Sequence, residues 1–368
     1  MPNVSYDEFR EKLKSAGISR RDFLKYCTMM AGVLALESTI VPRIARAIEM
    51  DKRPPVIWLE FQDCAGCSES LLRASRPTVE TLILDTLSLD YHETLMAAAG
   101  HLAEEAKDKT LAAGNYLLVV EGAIPTGENG AYCVVAGKSS VEQLREAAKN
   151  AVAIITVGNC ASFGGLPKAA PNPTGAVGVM DVIKDKPIIN LPGCPVNAVN
   201  ITATIVHYLT FKRLPKTDSL KRPLFAYGFR IHDNCERRAH FDRGEFVRMW
   251  GDKGHRNGWC LYHMGCKGPL TFANCPKVRW NQGMNWPVGA GHGCVGCTEK
   301  DFWELGVYHQ ANIPEFIPPA TYPKIGRAKK EIPSSTDAIV GGLIGAAVGG
   351  AVVAGLTQNR KRNPEKQE

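Results

Sequence analysis

The sequence predicts an α/β fold built on a parallel sheet covered on both faces, followed by a smaller and mostly irregular domain organised around metal. Three observations carry this. Apolar strands alternate with helical stretches between residues 56 and 209, the pattern of a parallel sheet. Three of those strands run straight into cysteines. Beyond residue 223 the apolar periodicity weakens, while Gly, Trp, His and Cys accumulate up to residue 313.

The chain opens on a segment with a different logic. Ser19-Arg20-Arg21-Asp22-Phe23-Leu24-Lys25 precedes an uncharged run from Tyr26 to Leu36, and Ala45-Arg46-Ala47 offers a small-residue cleavage site. Residues 1–47 are therefore expected to be a twin-arginine export signal. That route carries folded proteins, which suits cofactors inserted in the reducing cytoplasm. It also bears on the 12 cysteines, which in a secreted chain would otherwise suggest a disulfide framework. An ordinary secretory signal or an interfacial helix is the bland alternative.

The first expected strand, Val56-Ile57-Trp58-Leu59, runs into Cys64. Just after Cys64 and Cys67, Ser68-Glu69-Ser70-Leu71-Leu72 is expected to start a helix whose N-terminus favours thiolates. Tyr116 to Val120 is a buried strand ending at Glu121-Gly122, and Ser139-Ser140 caps a helix through Leu144 and Ala148. Ala151 to Val157 runs into Cys160, and Pro187 to Leu191 runs into Cys194, ahead of a helix from Asn197 to Leu209. Ligands of open parallel sheets sit beyond the carboxyl ends of the strands, so these loops can converge on one site. Lys212 to Pro223 then marks a domain boundary.

Ten cysteines and one histidine sort into two sets of four and one of three. The first set is Cys64, Cys67, Cys160 and Cys194; the second is His232, Cys235, Cys260 and Cys266; the third is Cys275, Cys294 and Cys297. That count suits two 4Fe-4S clusters and one 3Fe-4S cluster, and makes the chain an electron-transfer protein. Zinc is the rival for any single C-x-x-C. A structural zinc site, however, more often pairs two local knuckles than recruits single cysteines from distant strand ends. Cys133 and Cys27 stand outside the sets.

At the other end, residues 338–359 carry no charge, and Ile339 to Leu356 is about long enough to span a bilayer core. Gly341, Gly345 and Gly349 share one helix face at the spacing of packed membrane helices, and Arg360-Lys361-Arg362 follows. A transmembrane anchor is expected over 336–358, after a linker over 314–335, with a basic cytoplasmic tail at 359–368. Of the formal charge of +7, residues 1–47 hold +3 and residues 357–368 hold +2. The body is close to neutral, so nothing points to nucleic acid.

Cys-Ala-Gly-Cys-Ser-Glu-Ser at 64–70, Pro-Gly-Cys-Pro at 192–195, Trp-Cys-Leu-Tyr-His-Met-Gly-Cys-Lys-Gly-Pro at 259–269 and Gly-His-Gly-Cys-Val-Gly-Cys at 291–297 resemble the small subunit of a periplasm-facing, membrane-bound nickel-iron hydrogenase. The resemblance implies a flavodoxin-like, doubly wound domain over 48–220. It implies a proximal 4Fe-4S cluster on the first ligand set, a distal 4Fe-4S cluster on the second and a medial 3Fe-4S cluster on the third. The latter two fall in an iron-sulfur domain over 221–313, with Pro287 where a fourth cysteine can occur. It implies that a large subunit holds the nickel-iron site for H2 oxidation. This chain then conducts electrons to a membrane cytochrome b or another quinone-linked acceptor on the periplasmic side. Glu69 is a candidate for proton movement, though a helix-start carboxylate is its simpler role. Oxygen-tolerant relatives carry two further proximal cysteines where this chain has Gly66 and Gly165, which implies the oxygen-sensitive type. The rivals are a subunit of a complex I-like quinone-linked assembly, which shares the fold, and a zinc- or disulfide-stabilised anchored domain.

Overall fold

The computed structural model describes residues 19–49, 53–74, 87–281 and 283–304. Its central sheet has five strands: β1 (Pro55–Glu60), β2 (Ser88–His92), β3 (Tyr116–Glu121), β4 (Ala151–Val157) and β5 (Ile188–Leu191). Their spatial order is β2-β1-β3-β4-β5 and every neighbouring pair is parallel. This is the flavodoxin-like order, with the strand order reversing between β1 and β3. β3 is buried along its whole length, so it is a continuous apolar run rather than an alternating one. The edge strand β2 is the exception, and the apolar pattern of the sequence does not mark it. Its Asp90 accepts hydrogen bonds from Ser88 Oγ and Thr110 Oγ1 at 2.5 and 2.6 Å, so polar residues sit where an apolar run would mark a strand.

The helices that matter for the site are α1 (Arg20–Val33), α2 (Val41–Glu49), α3 (Gly66–Leu72), α4 (His101–Ala113), α5 (Ser140–Asn150), α6 (Gly158–Phe163) and α7 (Ala198–Phe211). α5 starts where expected, on a capping box in which Ser139 Oγ accepts from Glu142 N and the Glu142 carboxylate accepts from Ser139 N at 2.8 Å. α7 is capped by Asn197, whose Oδ1 accepts from Val199 N at 2.9 Å.

Strand periodicity divides the core. Ile57, Leu59, Leu118, Val120 and Ile154 face α4 and α5. Val56, Trp58, Leu117, Val119 and Ile155 face the other way, onto Ile201, Ile205 and Leu209 of α7. Val247, Leu261, Trp286 and Val288 belong to that same cluster. The cysteine-rich segment after residue 223 therefore packs on one face of the sheet and shares its core. Its own helices, from Leu224 to Val278, run only three to five residues each. Polar ties reinforce the join. The Asn200 and Asn274 amides bond each other at 2.8 and 3.2 Å, and Tyr227 Oη donates to Pro192 O at 2.8 Å. Arg222, 5% exposed, pairs with Asp218 at 2.7 Å and Glu299 at 3.0 Å.

Among the described residues no helix is long and apolar enough to cross a membrane. The apolar stretch 339–356, the linker and the basic tail lie outside the described residues.

Candidate metal centres

Register places the first donor set. Glu60 pairs with Glu121, Glu121 with Val157, and Val157 with Leu191, so β1, β3, β4 and β5 end flush. The loops after β1, β4 and β5 leave from one edge, carrying Cys64 and Cys67, Cys160, and Cys194. Burial and the nearness of other thiols make Cys67, Cys160 and Cys194 resist ionisation. Cys160 is pushed up to about 12, first by burial and then by Cys194 and Cys64 nearby. Burial likewise raises Cys67, with Glu121, Cys160 and Cys194 adding to it, and Cys194, with Cys64 adding. Cys64 and Cys194 are exposed, so this set lies at the molecular surface. The backbone is shaped around the sulfurs: a Cβ on Gly158, at φ +86°, would sit 2.5 Å from Cys67 Sγ.

His232, Cys235, Cys260 and Cys266 line one pocket together. The His232 ring is 6% exposed and meets Phe241 edge-on at 4.6 Å. Burial holds the imidazole down to about 4, which keeps it in the neutral form that can ligate metal. Cys235 and Cys260 are pushed up to about 11 and about 12, first by burial.

Cys275, Cys294 and Cys297 share a cavity of about 820 Å3 with Cys194, Trp286 and Pro287. Burial pushes Cys275 and Cys297 up to about 12, with Cys294 near the first and Cys194 near the second. The buried Trp286 Nε1–H, on the wall of this cavity, has no hydrogen-bond partner among the described residues.

The three sets form a row. Cys194 and Cys297 line the same cavity, and Cys194 lies near enough to shift the Cys297 thiol, which sets the first donor set against the third. Cys294 N donates to Cys266 Sγ at 3.3 Å, linking the third to the second. Asn159, beside Cys160, adds a brace: its Nδ2 donates to Cys297 O at 2.8 Å and to Glu299 O at 2.9 Å. Backbone N–H groups of Arg237 and Gly296 donate to Cys235 Sγ and Cys294 Sγ, each at 3.4 Å. Such bonds stabilise sulfur carrying negative charge and help set the potential of a bound cluster. None of the 12 cysteines is joined in a disulfide. The donor sets thus fit polynuclear iron: soft, clustered sulfurs, most of them shielded from water, whose mutual repulsion a cationic core neutralises.

Cys133 lies apart, half-buried against the α4 and α5 side of the sheet, and Cys27 is fully buried on α1. Glu69 is exposed and paired with Arg73 at 2.8 Å, the i,i+4 surface pair of an ordinary helix. The carboxylate at the first donor set is instead Glu121. It is 1% exposed and accepts from Cys67 N at 2.9 Å, Ser68 N at 3.0 Å, Ser68 Oγ at 2.6 Å and Trp58 Nε1 at 3.3 Å. α3 has no side-chain cap of its own, since Ala65 stands at the N-cap with φ +55°. Glu121 caps it from the neighbouring strand. Burial raises Glu121 to about 7. The signal for it in the sequence is a single charge closing an otherwise apolar strand.

A flush-ended parallel sheet feeding cysteine loops, joined through a common core to a second cysteine-rich segment, defines an iron-sulfur electron-transfer protein. Residues 227–309 match the family model for the C-terminal part of the NiFe/NiFeSe hydrogenase small subunit, and residues 64–208 match that for the 20 kDa subunit of NADH ubiquinone oxidoreductase. The chain is 44% identical to the Hydrogenase-2 small chain of Escherichia coli K12, over 97% of both chains. It is 50% identical to the quinone-reactive Ni/Fe-hydrogenase small chain of Wolinella succinogenes, over 79% of this chain and 83% of that one. The reduced, active Ni-Fe-Se hydrogenase of Desulfomicrobium baculatum superposes with a TM-score of 0.67 at 36% identity, covering 71% of this chain and 100% of that one. The chain belongs to the nickel-iron hydrogenase small-subunit family. It is the electron-transfer subunit of an oxidoreductase and pairs with a large subunit. The match at 64–208 reflects a sheet domain shared with the quinone-linked rival, and the full-length relatives decide between the two.

Proposed function

We propose that this chain conducts electrons between the nickel-iron site of its large subunit, where H2 and protons interconvert, and a quinone-linked membrane acceptor. The observation that carries the reading is the row of donor sets, in which Cys194 and Cys297 line one cavity and Cys294 N donates to Cys266 Sγ. Cys64, Cys67, Cys160 and Cys194 would hold a proximal 4Fe-4S cluster, Cys275, Cys294 and Cys297 a medial 3Fe-4S cluster, and His232, Cys235, Cys260 and Cys266 a distal 4Fe-4S cluster. Bound clusters supply one-electron chemistry. The protein's part is to fix their spacing, donate N–H groups to the sulfurs and exclude water through the shared core. The exposed Cys64 and Cys194 mark the entry side for the large subunit.

The acceptor assignment draws on the name of the Wolinella succinogenes relative. Export through the paired arginines, a periplasmic position, an anchor over 336–358 and oxygen sensitivity complete the proposal. The two proximal glycines support the last of these.

Ligand substitution tests the assignment. Cys160→Ser should abolish H2-driven reduction of acceptors and remove the iron of one cluster, while Cys133→Ser should leave iron content and redox signals as they are. Loss of a cluster in Cys133→Ser would contradict the ligand sets.

A further inference from the structure

A leader destined for removal needs no place in the fold, yet residues 19–49 are folded onto the body. α1 is capped by Ser19, whose Oγ accepts from Asp22 N at 3.1 Å. It buries Phe23, Tyr26, Cys27 and Met30, with Leu34 buried at its C-cap, the three-to-four spacing of an amphipathic helix with a docking face. α2 adds Ile44, fully buried, and Ala45. What these side chains meet is α7. Ala203 and Val206 belong to the same cluster, Val199 and Phe225 pack at its edge, and the Arg43 guanidinium lies over the Phe211 ring at 4.9 Å.

α7 is apolar on both sides. Ile201, Ile205 and Leu209 face the sheet, while Ala203 and Val206 face the hairpin. A helix of that kind is stable in water only when covered twice. The hairpin is the second cover, and it is the part of the chain that reads as removable. Its position is informative. α7 starts four residues after the exposed Cys194, and Met29 and Val33 of α1 line the same cavity as Gly66 and Cys194. The hairpin thus stands beside the surface that the large subunit must approach for electrons to pass.

We infer that the α1–α2 hairpin is an intramolecular cover on the large subunit's docking surface, and that the large subunit displaces it and takes its place on α7. The cleavage motif fits this order of events. Ala45 is 6% exposed inside α2, and peptidases act on exposed, unfolded backbone, so Ala45-Arg46-Ala47 becomes cleavable once the hairpin is off. The docking of residues 19–49 on α7 stands on the contacts alone, while the hairpin's removability and its cleavage rest on reading residues 1–47 as an export leader.

Hydrogen exchange of the cluster-loaded, full-length chain, alone and with saturating large subunit, tests the displacement. Amides of 20–49 should be protected in the free chain and exchange at least about tenfold faster in the heterodimer. Unchanged protection in the heterodimer would overturn the inference. A second variant works from the leader side and leaves α7 intact: Met30→Glu with Ile44→Glu should bind the large subunit about tenfold more tightly, because no intramolecular competitor remains. Equal or weaker binding would count against it. Arg20→Lys with Arg21→Lys probes export alone. Normal export in that variant would remove the leader reading and leave the displacement standing.

Discussion

Gly165 holds φ 56° and ψ −154°, a region of backbone space that is essentially glycine's own. A Cβ there would lie 2.5 Å from Cys160 Sγ and 2.7 Å from Cys160 Cα, so the side chain has nowhere to go unless the backbone moves. Gly66 differs: a Cβ at that position meets Cys64 Sγ at 3.1 Å and otherwise only Pro195 Cβ at 3.8 Å. Converting this proximal site to six cysteines is therefore unequal work. Gly165→Cys should cost about 1–3 kcal/mol from strain alone and lower the melting temperature, whereas Gly66→Cys should cost less than about 1 kcal/mol. Thermal unfolding of the two single variants checks this, and equal stabilities would show that the loop after Cys160 is free to rearrange.

Helix α3 depends on a carboxylate from another strand. Removing it in Glu121→Ala leaves the Cys67 and Ser68 amides, the Ser68 hydroxyl and the Trp58 indole without their buried acceptor, at about 1–3 kcal/mol per stranded group. The variant should lose several kcal/mol of stability and bind the proximal cluster poorly. Glu69→Ala, on the same helix but exposed and held only by a surface ion pair, should change stability by under about 1 kcal/mol. Chemical denaturation with iron analysis separates the two. The contrast also marks what the sequence can show. β1, β3, β4 and β5 were legible because strands buried on both faces are continuous apolar runs, and the cysteines were legible because they follow those runs. Glu121 was obscured because its role comes from register: only the pairing of Glu60 with Glu121 and the folding back of α3 bring its carboxylate to Cys67. β2 was obscured because its polar residues bond locally. The hairpin on α7 was obscured because an apolar run of this kind has the same composition whether it docks or not.

At the scale of the molecule, the two cysteine-rich halves are not separable units. Trp286 and Val288 share a cluster with Val56 and Val119, and Asn159 and Arg222 hold the loop from Cys297 to Glu299 from the sheet side. The spacing of the three donor sets is set by that common core, so the row should stay intact when the C-terminal stretch is removed. Truncation after Pro333 should give a soluble heterodimer that still oxidises H2 with an artificial acceptor and no longer reduces the membrane acceptor. Persistent membrane association would place the anchor elsewhere. The central claim, a chain that carries three iron-sulfur clusters in a row, is tested most directly by metal and sulfide analysis of the purified heterodimer combined with paramagnetic resonance of its oxidised form. The account predicts about eleven irons on this chain, with the signal of a 3Fe-4S centre in the oxidised state. Zinc without iron, or iron without that signal, would contradict it.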